Sequence, residues 1–388
     1  MMQALHFGAG NIGKGLIGKL LNKTGYHVCF VDVNQQAVDQ FNAKHKYHVE
    51  LLDDNHTVET ISPVSALNSN TQKEKVIEAI VNADIITTSV GINNLSGIAP
   101  ILSKGLLKRV KENKRKIDVI ANENAINAST TLKQEMEKQL SESEIQEING
   151  IAGFPNSAID RLSLSETRDE GERTLVEPYY EWIINKSEMI NFKAPSIKNA
   201  IYVEDLQPYI ERKLYIVNMG HAATAYIGFF SGNSTIQKTL ENKDRTNFIS
   251  KTMDEASQYV ETKFGFNREE MTNFIEKTLK RFKNKNINDQ VFRVGRNPIR
   301  KLSFDERLVK PTRELFDMGL PVERLTVAIA AGFLFYNPVD EESVTLQKFI
   351  GEYGIDKAIT HYTELENEHL QNKIKENYKQ LKKGTFPF

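Results

Sequence analysis

Ala4-Leu5-His6-Phe7-Gly8-Ala9-Gly10-Asn11-Ile12-Gly13 decides how the first half of this chain folds. Ala4–Phe7 is a short, mostly apolar run of the kind that a buried strand takes, and a helical pattern, Ile12–Asn22, follows the glycines. In such a strand–turn–helix the first glycine permits the tight turn and the second lets backbone approach a diphosphate. The third allows the helix to pack on the strand, and the helix N-terminus adds amides and positive dipole. A second strand, Val28–Val33, carries Asp32 at its end, 19 positions beyond Gly13. A carboxylate there accepts hydrogen bonds from an adenosine ribose diol and repels a 2′-phosphate, which points to NAD rather than NADP. The cofactor-binding residues expected on this reading are Gly8, Ala9, Gly10, Asn11, Ile12, Gly13 and Asp32.

Outward from this turn, short apolar runs alternate with amphipathic stretches, the signature of a parallel sheet wrapped by helices. Further strands are expected at Asp84–Val90, Ile117–Ala121 and Glu147–Ala152, with helices at Gln35–Lys44 and Lys73–Asn82. Several strands run directly into Gly8, Asp32, Gly91, Asn122 and Asn156, positions that line a ligand crevice in an open α/β sheet. After about residue 195 long helical patterns take over: Asp205–Phe230, Arg245–Phe264, Arg268–Lys283, Val322–Tyr336, Ser343–Tyr353 and a charged tail, Asp356–Lys382, which reads as a solvated surface helix. The expectation is a Rossmann-type, doubly wound α/β domain over residues 1–195, followed by a mostly α-helical substrate domain over 196–388.

Composition excludes several classes. The 388 residues are 40% hydrophobic and 26% charged, with a formal net charge of −1, so no global field marks a nucleic-acid or membrane binder. Cys29 is the sole cysteine, which rules out an internal disulfide and fits a reducing compartment. Neither a signal peptide nor an apolar run of about 20 residues stands out. A cytoplasmic enzyme acting on a small molecule is expected, without nucleic-acid or membrane partners.

Glu211-Arg212-Lys213-Leu214-Tyr215-Ile216-Val217-Asn218-Met219-Gly220-His221 carries the chemistry. At about 100° per residue, Lys213, His221 and Asn218 fall near about 0°, 80° and 140° of one helix. Hydride abstraction from a secondary alcohol needs a base for the hydroxyl proton and donors for the developing alkoxide. A lysine of lowered pKa, an asparagine amide and an orienting histidine supply these. Spacing alone leaves open a surface lysine, a capping asparagine and a core histidine. Gly220, unfavourable in a helix by about 1 kcal/mol against alanine, implies close approach of another group.

Lys-x4-Asn-x2-His resembles the signature of the polyol-specific long-chain dehydrogenases and reductases. The Gly8–Gly15 opening is similar to that family's, as are Asn122-Glu123-Asn124 and Phe154-Pro155-Asn156-Ser157-Ala158-Ile159-Asp160-Arg161. Val176-Glu177-Pro178-Tyr179-Tyr180-Glu181-Trp182 and the segment from Arg293 to Leu302 resemble blocks of its phosphosugar branch. The resemblance implies metal-independent, NAD-linked oxidation of a polyol phosphate. It implies Lys213 as general base, Asn124 and Asn218 bracketing the reacting oxygen, Asp160 tuning Lys213, and His221 binding substrate. Leu162-Ser163-Leu164-Ser165 departs from the family's usual continuation, and Glu211 lies two residues before Lys213, so no proton-relay role is transferred to it.

Arg293, Arg296, Arg300 and Lys301 place four cations within nine residues. Guanidinium forks match phosphate oxygens, so this segment is the candidate phosphate site, with Arg296 and Arg300 favoured; the bland alternative is a solvated basic loop. Competing readings are a family member acting on a non-phosphorylated sugar or hexuronate, and a catalytically silent NAD-binding sensor.

Overall fold

The computed structural model describes residues 1–113, 115–168 and 171–386. It divides into two compact units, Met1–Gln207 and Pro208–Phe388. Among the described residues no helix is long and apolar enough to cross a membrane.

Strands of the first unit are β1 (Met2–Phe7), β2 (Tyr26–Asp32), β3 (Tyr47–Leu51), β4 (Val58–Ile61), β5 (Val64–Asn68), β6 (Ile85–Thr88), β7 (Ile117–Ala121), β8 (Ala152–Gly153), β9 (Ser157–Asp160), β10 (Ser163–Arg168), β11 (Gly171–Val176), β12 (Glu181–Asn185) and β13 (Ile201–Val203). Its helices are α1 (Lys19–Thr24), α2 (Gln35–Lys44), α3 (Lys73–Asn82), α4 (Leu95–Glu112), α5 (Ala128–Glu137) and α6 (Glu142–Asn149). A six-stranded sheet runs in the order β5-β2-β1-β6-β7-β8, with every pairing parallel. The order reverses beside β1, which places the crevice of a doubly wound sheet at the end of that strand. Parallel strands bury both faces, which is why β1, β6 and β7 are almost wholly inaccessible. Leu16, Leu20, Val28 and Phe30 pack on one side, and Leu5, Ile80, Leu102 and Val119 on the other.

The expected strand Glu147–Ala152 is a correction. Ser141 and Glu144 form a capping box that starts α6, and the helix runs through Asn149. Only Ala152 and Gly153 remain to pair with Ile117 and Asp118. Beyond β8 lie strands that the sequence pattern did not announce. The antiparallel pair β10–β11 joins β3 and β4 in a mixed sheet, and β9, β12 and β13 make a third. Pairing of Ile183 with Ile201 keeps residues 201–203 in the first unit.

The second unit is helical, beginning within α7 (Gln207–Arg212), a π-helical turn Lys213–Asn218 and α8 (Met219–Phe230). There follow α9 (Ile236–Thr239), α10 (Lys243–Phe264), α11 (Arg268–Phe282), α12 (Val291–Gly295), α13 (Pro298–Lys301), α14 (Val309–Asp317), α15 (Glu323–Leu334), α16 (Glu341–Thr363) and α17 (Glu368–Lys382). Small residues on α8, Ala222, Ala223 and Ala225, let α10 and α15 close around it. A kink at Gly354, with φ 83°, breaks α16 where one helical pattern was expected to stop and the next to start. The charged tail is not a solvated helix: Leu370, Ile374, Tyr378 and Leu381 recur every three or four residues and are buried, packing α17 against α15.

Candidate active site

Each glycine of the first turn has a distinct physical reason. Gly8 adopts φ +100°, and a Cβ there would lie 2.7 Å from Ser89 O. A Cβ on Gly13 would run into Gly8 O and come within 2.7 Å of His6 Nε2, so the third glycine is needed for helix-on-strand contact. A Cβ on Gly10 would meet nothing within 4 Å. That open approach is the cradle expected for a diphosphate. Asp32 closes the other side: Oδ2 accepts from Ala9 N at 2.7 Å and Oδ1 from Asn34 N at 2.9 Å. The glycine turn and the Asp32 carboxylate are thus tied directly together, and Gly8–Gly13 with Asp32 fit a dinucleotide.

Beneath the turn, His6 bonds Thr87 Oγ1 at 2.7 Å and Ser89 Oγ at 2.9 Å, and burial pushes its pKa down to about 3. The helix after the turn is π-helical over Gly13–Gly18. Two side chains hold its carbonyls: Tyr47 Oη donates to Lys14 O at 2.8 Å, and Arg161 Nη1 to Gly15 O at 2.7 Å. Arg161 is buried and also donates to Glu177 O, so this part of the Phe154–Arg161 motif supports the cofactor helix. Leu162–Ser165 holds the glycine turn too, since Ser163 Oγ donates to Asn11 O at 2.7 Å and Ser165 Oγ bonds the Asn11 side chain.

The polar strand ends interlock. Glu123, buried after β7, accepts from Thr88 Oγ1 at 2.8 Å, Val90 N at 3.0 Å and Gly91 N at 2.7 Å, fixing the loop that follows β6. Asn122 accepts from Ser157 Oγ at 2.8 Å, and Asn124, next to this anchored pair, is exposed. Asn156 Oδ1 receives the amides of Ser129 and Thr130 at 3.1 and 3.2 Å, capping α5 from another element. Asp160 ends β9, half-buried and opposite Glu181 of β12.

In the second unit the π-helical turn changes the geometry assumed from an ordinary helix. Met219 N–H reaches Leu214 O, five residues back. A turn closed by five-residue bonds holds more residues than an α-helical turn, so Lys213 and Asn218 lie nearer to one face than the about 140° of an ordinary helix. Gly220 meets a neighbouring side chain, not a ligand: a Cβ there would sit 2.7 Å from Met253 Sδ. Glu211 turns into the core, where Tyr259 Oη and Lys263 Nζ bond it. His221 Nε2 lies 2.7 Å from Asp289 Oδ2, and its ring stacks on Phe282 with centroids 4.7 Å apart. Asp289, which sequence reasoning missed, also accepts from Arg293 Nε at 3.1 Å. Burial pushes the Asp289 carboxyl up, but His221 and Arg293 outweigh this and hold its pKa low.

The four cations of the basic segment separate. Arg293 joins Asp289 and thereby His221. Arg300 pairs with Glu306 at 3.3 Å, while Arg296 is exposed. Lys301 is buried, donating to Val294 O at 2.6 Å and to Arg296 O. Burial, with Arg307, Arg300 and Arg296 nearby, lowers its pKa to about 7. The four cations expected to share a phosphate site are thus placed differently: Lys301 points inward, Arg293 and Arg300 pair with Asp289 and Glu306, and Arg296 is exposed. Among the described residues no three His, Cys, Asp or Glu side chains gather as metal ligands.

Fold and glycine turn define a dinucleotide-dependent dehydrogenase with a helical second unit. Residues 2–199 match the mannitol dehydrogenase Rossmann domain and residues 205–382 the mannitol dehydrogenase C-terminal domain, and the chain belongs to that family. It is 41% identical over 383 residues to a mannitol-1-phosphate 5-dehydrogenase of Geobacillus stearothermophilus, covering 98% of this chain and 100% of that one. A protein of the same name from Halalkalibacterium halodurans is 42% identical over 368 residues, 95% of this chain and 97% of its own. In fold the chain is similar to Pseudomonas fluorescens mannitol 2-dehydrogenase, solved with NAD and D-mannitol: TM-score 0.73, 16% identity, covering 99% of this chain and 92% of that one. A D-sorbitol dehydrogenase is similar at TM-score 0.85 and 13% identity, covering 99% of this chain and 94% of the other.

Proposed function

We propose that this chain is an NAD-dependent oxidoreductase that interconverts D-mannitol 1-phosphate and D-fructose 6-phosphate, with hydride transfer at C5 of the polyol. The observation that carries this reading is the 41% identity across the full length of a protein of that activity by name. NAD, when bound, accepts the hydride in oxidation and returns it in reduction. Gly8–Gly13 hold its diphosphate by backbone approach, and Asp32 takes the ribose diol and disfavours a 2′-phosphate. Lys213 takes the C5 hydroxyl proton as the C5–H hydride departs, and that carbon becomes C2 of the ketose. Asn124 and Asn218 donate to the reacting oxygen, Asp160 tunes Lys213, and His221 binds substrate. The phosphate carbon becomes C6 of fructose, so the phosphate ligands stand several bonds from the reacting carbon. Among Arg293, Arg296, Arg300 and Lys301, the link through Asp289 to His221 favours Arg293 over the two arginines expected from sequence. The single cysteine accords with a cytoplasmic setting.

A panel of phosphorylated and free sugars assayed with NADH and NADPH tests this. Fructose 6-phosphate with NADH should turn over far faster than free fructose. Equal rates on both sugars, or NADH binding without any turnover, would reject it.

A further inference from the structure

His221 is held in a setting that does more than place an imidazole. The loop carrying Asp289 is pinned through its backbone: Ile236 N donates to Asp289 O at 2.9 Å, and Asp289 N donates to Gln237 Oε1 at 3.3 Å. The two carboxylate oxygens are divided, Oδ2 to His221 Nε2 and Oδ1 to Arg293 Nε. Phe282 stacked on the ring restricts its rotation. A carboxylate only accepts, so Nε2 must carry the proton in the neutral imidazole, and Nδ1 becomes an acceptor.

We infer that Asp289 is a positioning residue, fixing His221 as the tautomer that presents Nδ1 to a substrate hydroxyl while holding Arg293 beside it. The inference rests on the proposed action on a sugar phosphate, whose hydroxyls are the donors that Nδ1 would recognise. It also assigns the carboxylate a role that packing alone would not require. In Asp289→Asn the amide oxygen is needed by Arg293, which leaves the NH2 facing His221. That NH2 can only donate, so the imidazole proton moves to Nδ1 and the ring offers the substrate a donor in place of an acceptor.

Nitrogen NMR of the full-length protein at a pH of about 8.5, above the ordinary imidazole range, reads the tautomer directly. Wild type should carry the proton on Nε2, and Asp289→Asn on Nδ1. The same variant should raise KM for fructose 6-phosphate about 10-fold or more, the loss expected for a misdirected hydrogen bond, while KM for NADH stays within about 2-fold. Asp289→Ala should raise the same KM without enforcing either tautomer. A wild-type imidazole protonated on Nδ1, or an Asp289→Asn protein in which tautomer or substrate KM is unmoved, overturns the inference. The wild-type spectrum decides the tautomer even if a variant fails to fold. Absence of wild-type turnover on fructose 6-phosphate would instead strike the proposed function, since the tautomer is read without substrate.

Discussion

Two alanine substitutions three residues apart should have opposite consequences. At Gly10 the added methyl meets nothing within 4 Å, and the backbone does not take the left-handed conformation. Gly10→Ala should therefore leave stability within about 0.5 kcal/mol, the range of an uncrowded surface change. The methyl would stand where a diphosphate must approach, and NADH affinity should fall about 5- to 150-fold, an overpacking cost of about 1–3 kcal/mol. At Gly13 the methyl is driven into Gly8 O and His6 Nε2, neither of which is the far end of a flexible chain. That overpacking, again about 1–3 kcal/mol, falls on the fold itself. At about 2–4 °C per kcal/mol for a unit of this size, Tm should drop by about 2–12 °C. Thermal unfolding and an NADH fluorescence titration of both variants separate the effects. Wild-type NADH affinity in Gly10→Ala would show that no diphosphate approaches there, and an unchanged Tm in Gly13→Ala that the helix does not need its glycine.

Lys213→Ala should lose about 10²–10⁴-fold in turnover while still binding NADH, and Lys213→Arg should not restore it because a guanidinium stays protonated; near-normal turnover in a folded Lys213→Ala protein counts against the base. Replacing Asp32 with Ser should weaken NAD use and raise the NADP/NAD ratio, which a kcat/KM comparison of the two cofactors checks. Unfolded His6 takes up a proton near about pH 6.5, whereas in the fold burial holds this off to about pH 3. Between those values the unfolded chain binds more protons, so stability falls as pH drops. His6→Gln should flatten urea midpoints across that window, and an unchanged pH slope would speak against this.

What could be read from the chain was what local pattern determines. The glycine turn, Gln35–Lys44 and Lys73–Asn82 needed only local pattern. Pairing across sequence distance was not legible: β11 joins β3 through Thr174 and Val49, and nothing in either stretch names its partner. The Ser141–Glu144 capping box is a local helix signal, and the short apolar stretch from Ile148 to Ala152 does not by itself tell a strand from the end of that helix. At the site, residue types were legible and geometry was not. A fixed 100° rotation misplaces Asn218, because the π-helical turn shifts the phase within a few residues. Counting cations suggested a cluster, yet Lys301 is drawn inward by two carbonyls that no composition reveals. Asp289, four residues before Arg293, carried the signal of an i,i+4 ion pair, and only the fold shows that it also reaches His221.

Fructose 6-phosphate reduced with NADH deuterated at the transferring position, and the product read by NMR, tests the central claim most directly. The product should be mannitol 1-phosphate carrying deuterium at C5 alone. Deuterium at another carbon, a product with the other configuration at C5, or no label transfer at all would contradict it.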